Sequence, residues 1–415
     1  MRVPSLQARG TPVVPQRGTP ASATETTLRI GLIAPGGLDR TGRRDVIPAL
    51  LSLTERLSRN HRVTVVVVRQ EPEPSRFSLL GADVVNLGYM TAARPGRVSL
   101  RCLFRMLVAL GRDGWSFDVL HAFWIAECGV LAALAGQLWR VPVVVSVGGG
   151  ELVWVPQVAY GGRGDWQCRA QSAIALWCAT AVTAGSHYAR RPLAGHRSVT
   201  RIVPLGVDTA RFHGPLERPD GPPWRLLHVA SLNRVKNQGM LLRAVQLVQD
   251  QLLGVRLDIV GEDFLDSALQ EMAAELGLSE AVHFHGPLDH EAIVPLYRQA
   301  HLYLQASWHE SQGVAVCEAA ACGVPTVGTA VGLVADLAPA AAYIVPADDA
   351  AAMATAILTL LGDRPQRERL GRAAQAWARA HDADWTAATF AALYRQLAAR
   401  RTATATVRSG RAGAA

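Results

Sequence analysis

The stretch Ser307–Thr326 reads SWHESQGVAVCEAAACGVPT and predicts the loop and the helix of one α/β unit. The short apolar run before it, Leu302–Gln305, is typical of a buried strand. A loop with Glu310 follows, and the small apolar residues after Gly313 predict a helix. Gly323, with a proline two residues later, ends that helix by the usual stop signal. A strand, a loop and a helix followed by another strand indicate a parallel sheet.

The same alternation of β-rich runs and longer helical segments occupies most of the chain in two successive units. The sequence therefore predicts an α/β fold with two Rossmann-like domains, whose parallel sheets face each other across an interdomain cleft. The predicted boundaries, in chain order, are a disordered leader at 1–27, an N-terminal domain at 28–212, a linker at 213–223, a C-terminal domain at 224–385, a final helix at 386–400 and a disordered tail at 401–415.

Composition excludes several classes of protein. The chain has 415 residues, 49% of them hydrophobic, so it can build real cores and is not disordered as a whole. The net charge of +8 is spread thinly and comes with no stacking or groove-reading motif, so we expect no nucleic-acid partner. Attraction to an anionic membrane surface stays open as a peripheral contact.

The location of the protein is predicted from its cysteines and its apolar runs. The six cysteines show no metal-ligand spacing, which is typical of reduced thiols in a cytoplasmic protein. Val63–Val68 and Val141–Val147 are far shorter than the roughly 20 residues that span a bilayer. No apolar signal core precedes residue 28.

Two acidic residues and one basic residue stand out as candidates for chemistry. Glu310 and Glu318 are eight positions apart, roughly 12 Å if the segment were helical throughout. They could hold hydroxyl groups at two points of one long ligand, or Glu310 could cap a helix and Glu318 could be solvated. Glu318 lies in an apolar helix, so it needs a polar partner. Lys236 is the single lysine among 42 basic residues, and a solvated lysine at a helix start is its alternative.

These residues carry a resemblance to a known family. The stretch around Glu310 and Glu318 resembles the Glu-x7-Glu signature of the retaining family 4 glycosyltransferases (glycosyl transferases group 1), which have the two-domain GT-B fold. The segment PLGVD at Pro204–Asp208 resembles the interdomain segment of that family, and VHFHG at Val282–Gly286 resembles one of its strands with the following glycine loop. The resemblance covers residues 28 to about 397.

The resemblance implies a role for each matching residue on the donor side, which is the C-terminal domain. Glu310 would contact the hydroxyls of the donor sugar and Glu318 those of the nucleotide ribose. The amides of Gln312, Gly313 and Val314 would lie near the sugar and the phosphate. Lys236 falls on the family lysine, whose compact charge would stabilise the departing diphosphate.

The sequence departs from the family at two positions. Ser231 replaces an arginine of the diphosphate site, so one cation is lost there unless Arg234 reaches the site from a shifted place. In the segment DVLHAFW, His121 matches the first family histidine and Phe123 replaces the second. The alternative for His121 is a satisfied histidine at the end of a strand.

Two glycine loops are assigned to the acceptor side, the N-terminal domain. Gly36 and Gly37 follow the first strand, where bare backbone would let amides approach the donor phosphates, although an ordinary turn is the alternative. Glu151, after a run of three glycines, is a candidate for binding acceptor hydroxyls. Neither loop has the dinucleotide fingerprint G-x-G-x-x-G, which argues against a dehydrogenase.

The sequence thus predicts a metal-independent retaining glycosyltransferase without a cofactor. Its donor would be a nucleotide-diphosphate sugar, and its acceptor a hydroxyl group on a glycan, a lipid or a small molecule. No metal site is predicted, since Asp382 and Asp384 are interpreted as solvated carboxylates. The alternatives are a nucleotide-sugar binding protein with weak or no catalysis, favoured by Ser231 and Phe123, and an epimerase on the same fold.

Overall fold

A computed structural model of the chain describes residues 26–43, 45–88, 100–111, 116–196 and 198–412. The predicted leader lies outside the described residues up to residue 25. The two predicted Rossmann-like domains are present, each with a largely or wholly parallel sheet between helices, so the predicted fold class is confirmed.

The N-terminal domain is built on an eight-stranded sheet in the order β3-β4-β2-β1-β5-β6-β7-β8. All its pairings are parallel except that of β3 with β4. The central strands are rich in valine, and these valines are buried, as a sheet covered on both faces requires. The strands are β1 (Arg29–Ala34), β2 (Arg62–Val67), β3 (Ser75–Leu79), β4 (Ala82–Asn86), β5 (Val119–Phe123), β6 (Val143–Val147), β7 (Ala181–Ala184) and β8 (Val199–Ile202).

Five α-helices accompany this sheet in the described part of the domain. They are α1 (Pro48–Ser58), α2 (Leu100–Gly111), α3 (Glu127–Trp139), α4 (Trp166–Cys178) and α5 (His187–Arg190). The helix α1 begins with Pro48, a residue suited to the first helical position, and buries Leu50, Leu53 and Leu57 against the strands.

The C-terminal domain has a six-stranded, wholly parallel sheet in the order β11-β10-β9-β12-β13-β14. Its strands are β9 (Trp224–Val229), β10 (Val255–Val260), β11 (Val282–Gly286), β12 (Leu302–Gln305), β13 (Thr326–Thr329) and β14 (Ala342–Val345). Its helices are α6 (Gln238–Gln249), α7 (Ala268–Glu275), α8 (His290–Gln299), α9 (Val314–Ala321), α10 (Gly332–Leu337), α11 (Ala350–Gly362) and α12 (Arg364–Ala380).

The last helix, α13 (Ala383–Ala412), leaves the C-terminal domain and packs on the N-terminal one. Phe390, Tyr394 and Leu397 are buried in the same apolar cluster as the leucines of α1. The helix begins three residues before the predicted position 386 and continues past residue 400, so the predicted end of the helix is too early. The residues predicted as a tail from 401 are helical up to Ala412.

The two sheets direct the carboxyl ends of their strands toward one cleft between the domains. Side chains of the C-terminal domain meet the N-terminal domain directly there: Ser311 Oγ donates to the Gly149 carbonyl at 2.5 Å. Ser186 Oγ in turn donates to the Ser311 carbonyl at 2.5 Å. All six cysteines are free thiols. Across the described ranges, no helix is both long and apolar enough to cross a membrane.

Candidate active site in the interdomain cleft

A cavity of about 520 Å³ occupies the cleft and is lined by both domains. We call Ser231, Lys236, Gln305, Glu310 and Glu318 the C-terminal wall. We call Phe123, Trp124, Ser146, Val147 and Gly148 the N-terminal wall. A second cavity of about 550 Å³ continues from the first and shares lining residues with it, which are Pro48, His290, Val314 and Glu318. The combined space suits an elongated ligand.

The centre of the C-terminal wall is an ion pair between Lys236 and Glu310. Lys236 ends a short 3₁₀ turn after β9, and Glu310 lies in the loop after β12. Because β9 and β12 are neighbours in the sheet, the two loops leave it side by side, and Lys236 Nζ lies 2.5 Å from Glu310 Oε1. Ser307 Oγ donates to the same oxygen at 2.8 Å. Both charged side chains stay partly accessible from the cavity.

The other two residues predicted for the diphosphate site differ in their position. Ser231 lines the cavity, and its carbonyl accepts a hydrogen bond from Gln238 Nε2 at 2.9 Å. Arg234 is exposed and does not line the cavity, so the structure does not place it where it would replace the missing family arginine. Among the described residues that line the 520 Å³ cavity, Lys236 is the sole lysine or arginine, whereas Arg43, Arg56 and Arg211 line the adjoining one.

The start of helix α9 forms the floor of the cavity next to this pair. Gly313 precedes the helix with a φ of +86°, a left-handed conformation that favours glycine. Gly313 and Val314 line the cavity, and no side chain caps the helix start, so amide donors and the positive end of the helix dipole face this space.

The side chain of Gln312 has a partner in the other domain. Its Oε1 accepts from the Leu205 amide and its Nε2 donates to the Leu205 carbonyl, both at 2.8 Å. This two-bond contact fixes the loop of Glu310 against the N-terminal domain, while Gln312 still lines the cavity.

Glu318 lies on α9 and has the polar partners that its apolar surroundings require. His290 Nε2 lies 2.8 Å from Glu318 Oε1, and the Tyr297 hydroxyl donates to Oε2 at 2.8 Å. Burial and the nearby Glu318 carboxylate raise the pKa of Tyr297 well above its usual value, so the phenol remains a donor. The carboxylate is 7% exposed and borders both cavities, which places it beside an incoming ligand.

The structure does not bring His121 to the cavity. Its ring is completely buried, with Nδ1 2.6 Å from the Tyr394 hydroxyl and Nε2 2.7 Å from Ser146 Oγ. Burial lowers the pKa of His121 to about 3, so the imidazole is neutral. The histidine therefore joins the final helix to the sheet. Both of its ring nitrogens have partners in the protein, as in the alternative interpretation of His121 given above.

Glu151 is also turned away from the ligand space. Its Oε1 accepts from the Ile125 amide at 3.1 Å, and its Oε2 accepts from the Gly149 amide at 2.8 Å. Burial raises the pKa of Glu151, and these backbone donors oppose that effect. The carboxylate holds the glycine loop in place, so the prediction that it binds acceptor hydroxyls receives no support from its position.

The loop of Gly36 and Gly37 has its amides engaged as well. The amides of Gly37 and Leu38 donate to Gln70 Oε1 at 2.7 and 3.0 Å. Gly37 has a φ of +86°, and a Cβ there would collide with Ile47. The two glycines therefore form a tight turn capped by Gln70, and they do not line the cavity.

An apolar surface remains on the N-terminal wall where polar contacts were predicted. Phe123 is 3% exposed and packs against His121 with ring centroids 4.2 Å apart. Trp124 lies over the backbone of Gly148, where any Cβ would come within 2.8 Å of the indole. Besides Ser146, whose hydroxyl is bonded to His121 and Thr183, and Val147, the N-terminal wall thus consists of aromatic rings and bare backbone.

Several cavity residues were missed by the sequence analysis. Near the end of β9, His228 donates from Nδ1 to the Leu304 carbonyl and accepts at Nε2 from Gln238 Nε2, and burial lowers its pKa to about 4. Gln305, the last residue of β12, has an amide nitrogen without a partner among the described residues. Ser307 orients Glu310. Their positions at strand ends are the signal that could have identified them.

Comparison with known proteins adds to this geometry. The family "Glycosyl transferases group 1" matches residues 214–377, and the family "Glycosyl transferase 4-like domain" matches residues 46–208. The two matches together span both domains. A D-inositol 3-phosphate glycosyltransferase from Corynebacterium jeikeium is 30% identical over 244 residues, which is 53% of this chain and 58% of that relative.

Two solved structures are similar in fold. Sucrose-phosphate synthase from Thermosynechococcus elongatus has a TM-score of 0.71 at 20% identity, and the match covers 90% of this chain and all of that one. HepE of Anabaena, solved in complex with UDP and glucose, has a TM-score of 0.67 at 18% identity, covering 89% and 100%. Both place the chain in the same two-domain architecture.

Proposed function

Because this chain belongs to the group 1 glycosyl transferases and has their GT-B fold, we propose that it moves a sugar from a nucleotide-diphosphate sugar to a hydroxyl acceptor. The observation that carries the proposal is the convergence of Lys236, Glu310 and the open start of α9 on one cavity, with Glu318 farther along the same wall. The Anabaena structure with UDP and glucose makes a UDP-sugar the first donor to test.

The donor would lie along the C-terminal wall. Glu318, already held by His290 and Tyr297, has an acceptor surface for the ribose hydroxyls. The amides at the start of α9 and the Lys236 ammonium would bind the diphosphate, since both present positive charge to the same space. Glu310 is within hydrogen-bond distance of Lys236, so the sugar that it binds would lie next to the phosphate that leaves.

The reaction breaks the bond between the anomeric carbon and a phosphate oxygen. Negative charge then collects on the nucleoside diphosphate, where Lys236 and the amides stabilise it. In the front-face course that we propose, the acceptor oxygen attacks from the side of the leaving group. Its proton goes to the departing phosphate oxygen, and the anomeric configuration is retained. Retention and metal independence are both parts of this proposal.

The acceptor would enter along the N-terminal wall. That wall offers Phe123, Trp124 and the backbone at Gly148, so aromatic contact with an acceptor ring or chain is the interaction that it supports best. We propose an acceptor with a free hydroxyl, which is a glycan, a lipid or a small molecule. The cytoplasmic location predicted from the cysteines stays a prediction.

The test is turnover of a panel of nucleotide sugars, with release of nucleoside diphosphate as the readout. Lys236→Ala and Glu310→Ala should each lower turnover strongly. Arg234→Ala is the matched control, because it removes a cation from the same turn but from the exposed side. Unchanged turnover in both Lys236→Ala and Glu310→Ala would contradict this assignment of the active site. Nucleotide binding without turnover on any acceptor would favour the alternative of a nucleotide-sugar binding protein.

A further inference from the structure

The helix α4 has an unusual distribution of side chains. Its buried residues are Ser172 and Ala175, whereas Trp166, Ile174 and Trp177 are 67%, 46% and 66% exposed. A surface helix normally turns its large apolar residues toward the core and its small or polar ones outward. In α4 the large residue Leu176 packs against the core, whereas the exposed large residues lie on another part of the helix surface.

The exposed residues of α4 form one continuous stripe. At about 100° per residue, an α-helix places positions 166, 170, 173, 174 and 177 within an arc of roughly 100°. All five are exposed, namely Trp166, Ala170, Ala173, Ile174 and Trp177. From the first to the last the stripe runs about 16 Å. We call these five residues the α4 stripe.

Other segments of the same domain also expose large apolar side chains. The helix α3 packs against α4, with Gly129 approaching Ala175, and it exposes Leu134 and Leu138 to 40% and 63%. In the loop before α4, Trp154 lies over Gly164 and is 47% exposed. Exposed apolar surface of this extent on a monomer marks an interaction site.

The charges near the α4 stripe are mostly positive. Arg163 and Arg169 are exposed before α4 and on it, and Arg140 is exposed directly after α3. The carboxylates of this region are engaged: Asp165 caps α4 by accepting from the Gln167 amide at 2.7 Å. Glu127 is paired with Arg69, and Glu151 accepts backbone amides. The surface therefore combines exposed tryptophans with an excess of arginine.

We infer that the α4 stripe docks on the surface of an anionic phospholipid bilayer. Tryptophan is favoured at the boundary between headgroups and hydrocarbon because it has an apolar ring and a polar N–H. Arginines beside it would bind lipid phosphates, and each adds attraction to an anionic surface.

Vesicle binding of the full chain tests this inference independently of glycosyl transfer. Flotation is measured with vesicles of phosphatidylcholine alone and with about 30% phosphatidylglycerol added. Wild type should bind the anionic vesicles, and the combined change Trp166→Ser, Ile174→Ser and Trp177→Ser should weaken binding about tenfold or more. The matched control is Leu253→Ser with Phe264→Ser, which removes apolar residues of similar exposure, 85% and 60%, from the other domain and should change binding less than about twofold.

A second variant covers the case in which the triple change disturbs α4. Arg163→Gln with Arg169→Gln leaves the apolar packing untouched and should weaken binding to anionic vesicles while reducing its dependence on salt. The inference is overturned if wild type fails to bind anionic vesicles or if the triple variant, folded by circular dichroism, binds as wild type does. A dimer in sedimentation that the triple variant abolishes, without vesicle binding by wild type, would assign the α4 stripe to a second copy.

Discussion

The two walls of the cleft use the same kinds of polar residue in different ways. On the C-terminal wall, Lys236, Glu310 and Glu318 all border the ligand space. Behind the N-terminal wall, the polar atoms of His121 and Glu151 are bonded to the protein itself. A carboxylate or an imidazole at the end of a strand is thus no proof of a binding site. What distinguishes a candidate site residue is whether the fold leaves its side chain lining the cavity, as it does for Glu318 although both carboxylate oxygens of Glu318 have partners in the protein.

This contrast predicts that substitutions on the C-terminal wall will change activity, whereas those behind the N-terminal wall will change stability. The largest effect should come from Glu310→Gln. The amide loses the charge that pairs with Lys236 and would bind the donor sugar more weakly, so turnover should fall by about 100-fold or more. Initial rates over a range of nucleotide-sugar concentrations measure this, because they separate kcat from KM. Glu291→Gln, an exposed carboxylate of the adjoining cavity, is the control and should stay near wild type.

The second effect is on the pH dependence of the free energy of unfolding, and it comes from His121 behind the N-terminal wall. Burial lowers the pKa of His121 from 6.5 to about 3, so below pH 6.5 the unfolded chain binds a proton that the folded one does not. The free energy of unfolding should therefore fall as the pH decreases, and His121 should contribute about 2 kcal/mol of that loss between pH 7 and pH 5.

Urea unfolding at several pH values measures this contribution. His121→Gln has no titrating ring, so its pH dependence over this interval should be shallower than that of wild type. Equal slopes for the two proteins would mean that His121 is accessible to protons in the folded state. That result would contradict the claim that His121 is buried and neutral behind the N-terminal wall.

A smaller effect is expected for nucleotide binding at Glu318. Glu318→Gln replaces a charged acceptor by a neutral one, so affinity for UDP should fall about tenfold by calorimetry. Tyr297→Phe is the comparison variant, because it removes a donor to Glu318 and leaves the carboxylate in place. Equal losses in the two variants would indicate that Glu318 acts through the packing of α9.

The smallest effect on activity should come from Glu151→Gln. Because this side chain accepts backbone amides and does not face the cavity, turnover should change less than about twofold, while the free energy of unfolding falls by about 1 kcal/mol or more. A large loss of turnover at unchanged stability would place Glu151 in the acceptor site after all.

Much of the fold could be predicted from the sequence, because strands such as β2 and β6 are valine runs bounded by turns. The strands that escaped prediction lack that signal. For β7, the four residues Ala-Val-Thr-Ala are all buried but contain a single large aliphatic side chain. For β3, exposed and half-buried residues alternate without an apolar run. Their place in the sheet is set by neighbours that lie far away in sequence.

In the candidate site, too, some residues could be predicted from the sequence and others could not. Lys236 and Glu310 were predictable because they match a motif and because each follows a strand. The partner of His121, Tyr394, is 273 positions away, and the partner of Gln312, Leu205, is 107 positions away. No local pattern shows such a pairing. The sequence therefore predicted which residues can do chemistry, and only the packed chain shows which of them are already satisfied.

The most direct test of the central claim is the rate of nucleoside diphosphate release from a nucleotide sugar by wild type, Lys236→Ala and Glu151→Gln. We expect Lys236→Ala to lose about 100-fold or more, because the described lining of the 520 Å³ cavity then has no lysine or arginine to stabilise the departing diphosphate. We expect Glu151→Gln to stay close to wild type. Full turnover by Lys236→Ala, or loss in Glu151→Gln alone, would contradict the assignment of catalysis to the C-terminal wall.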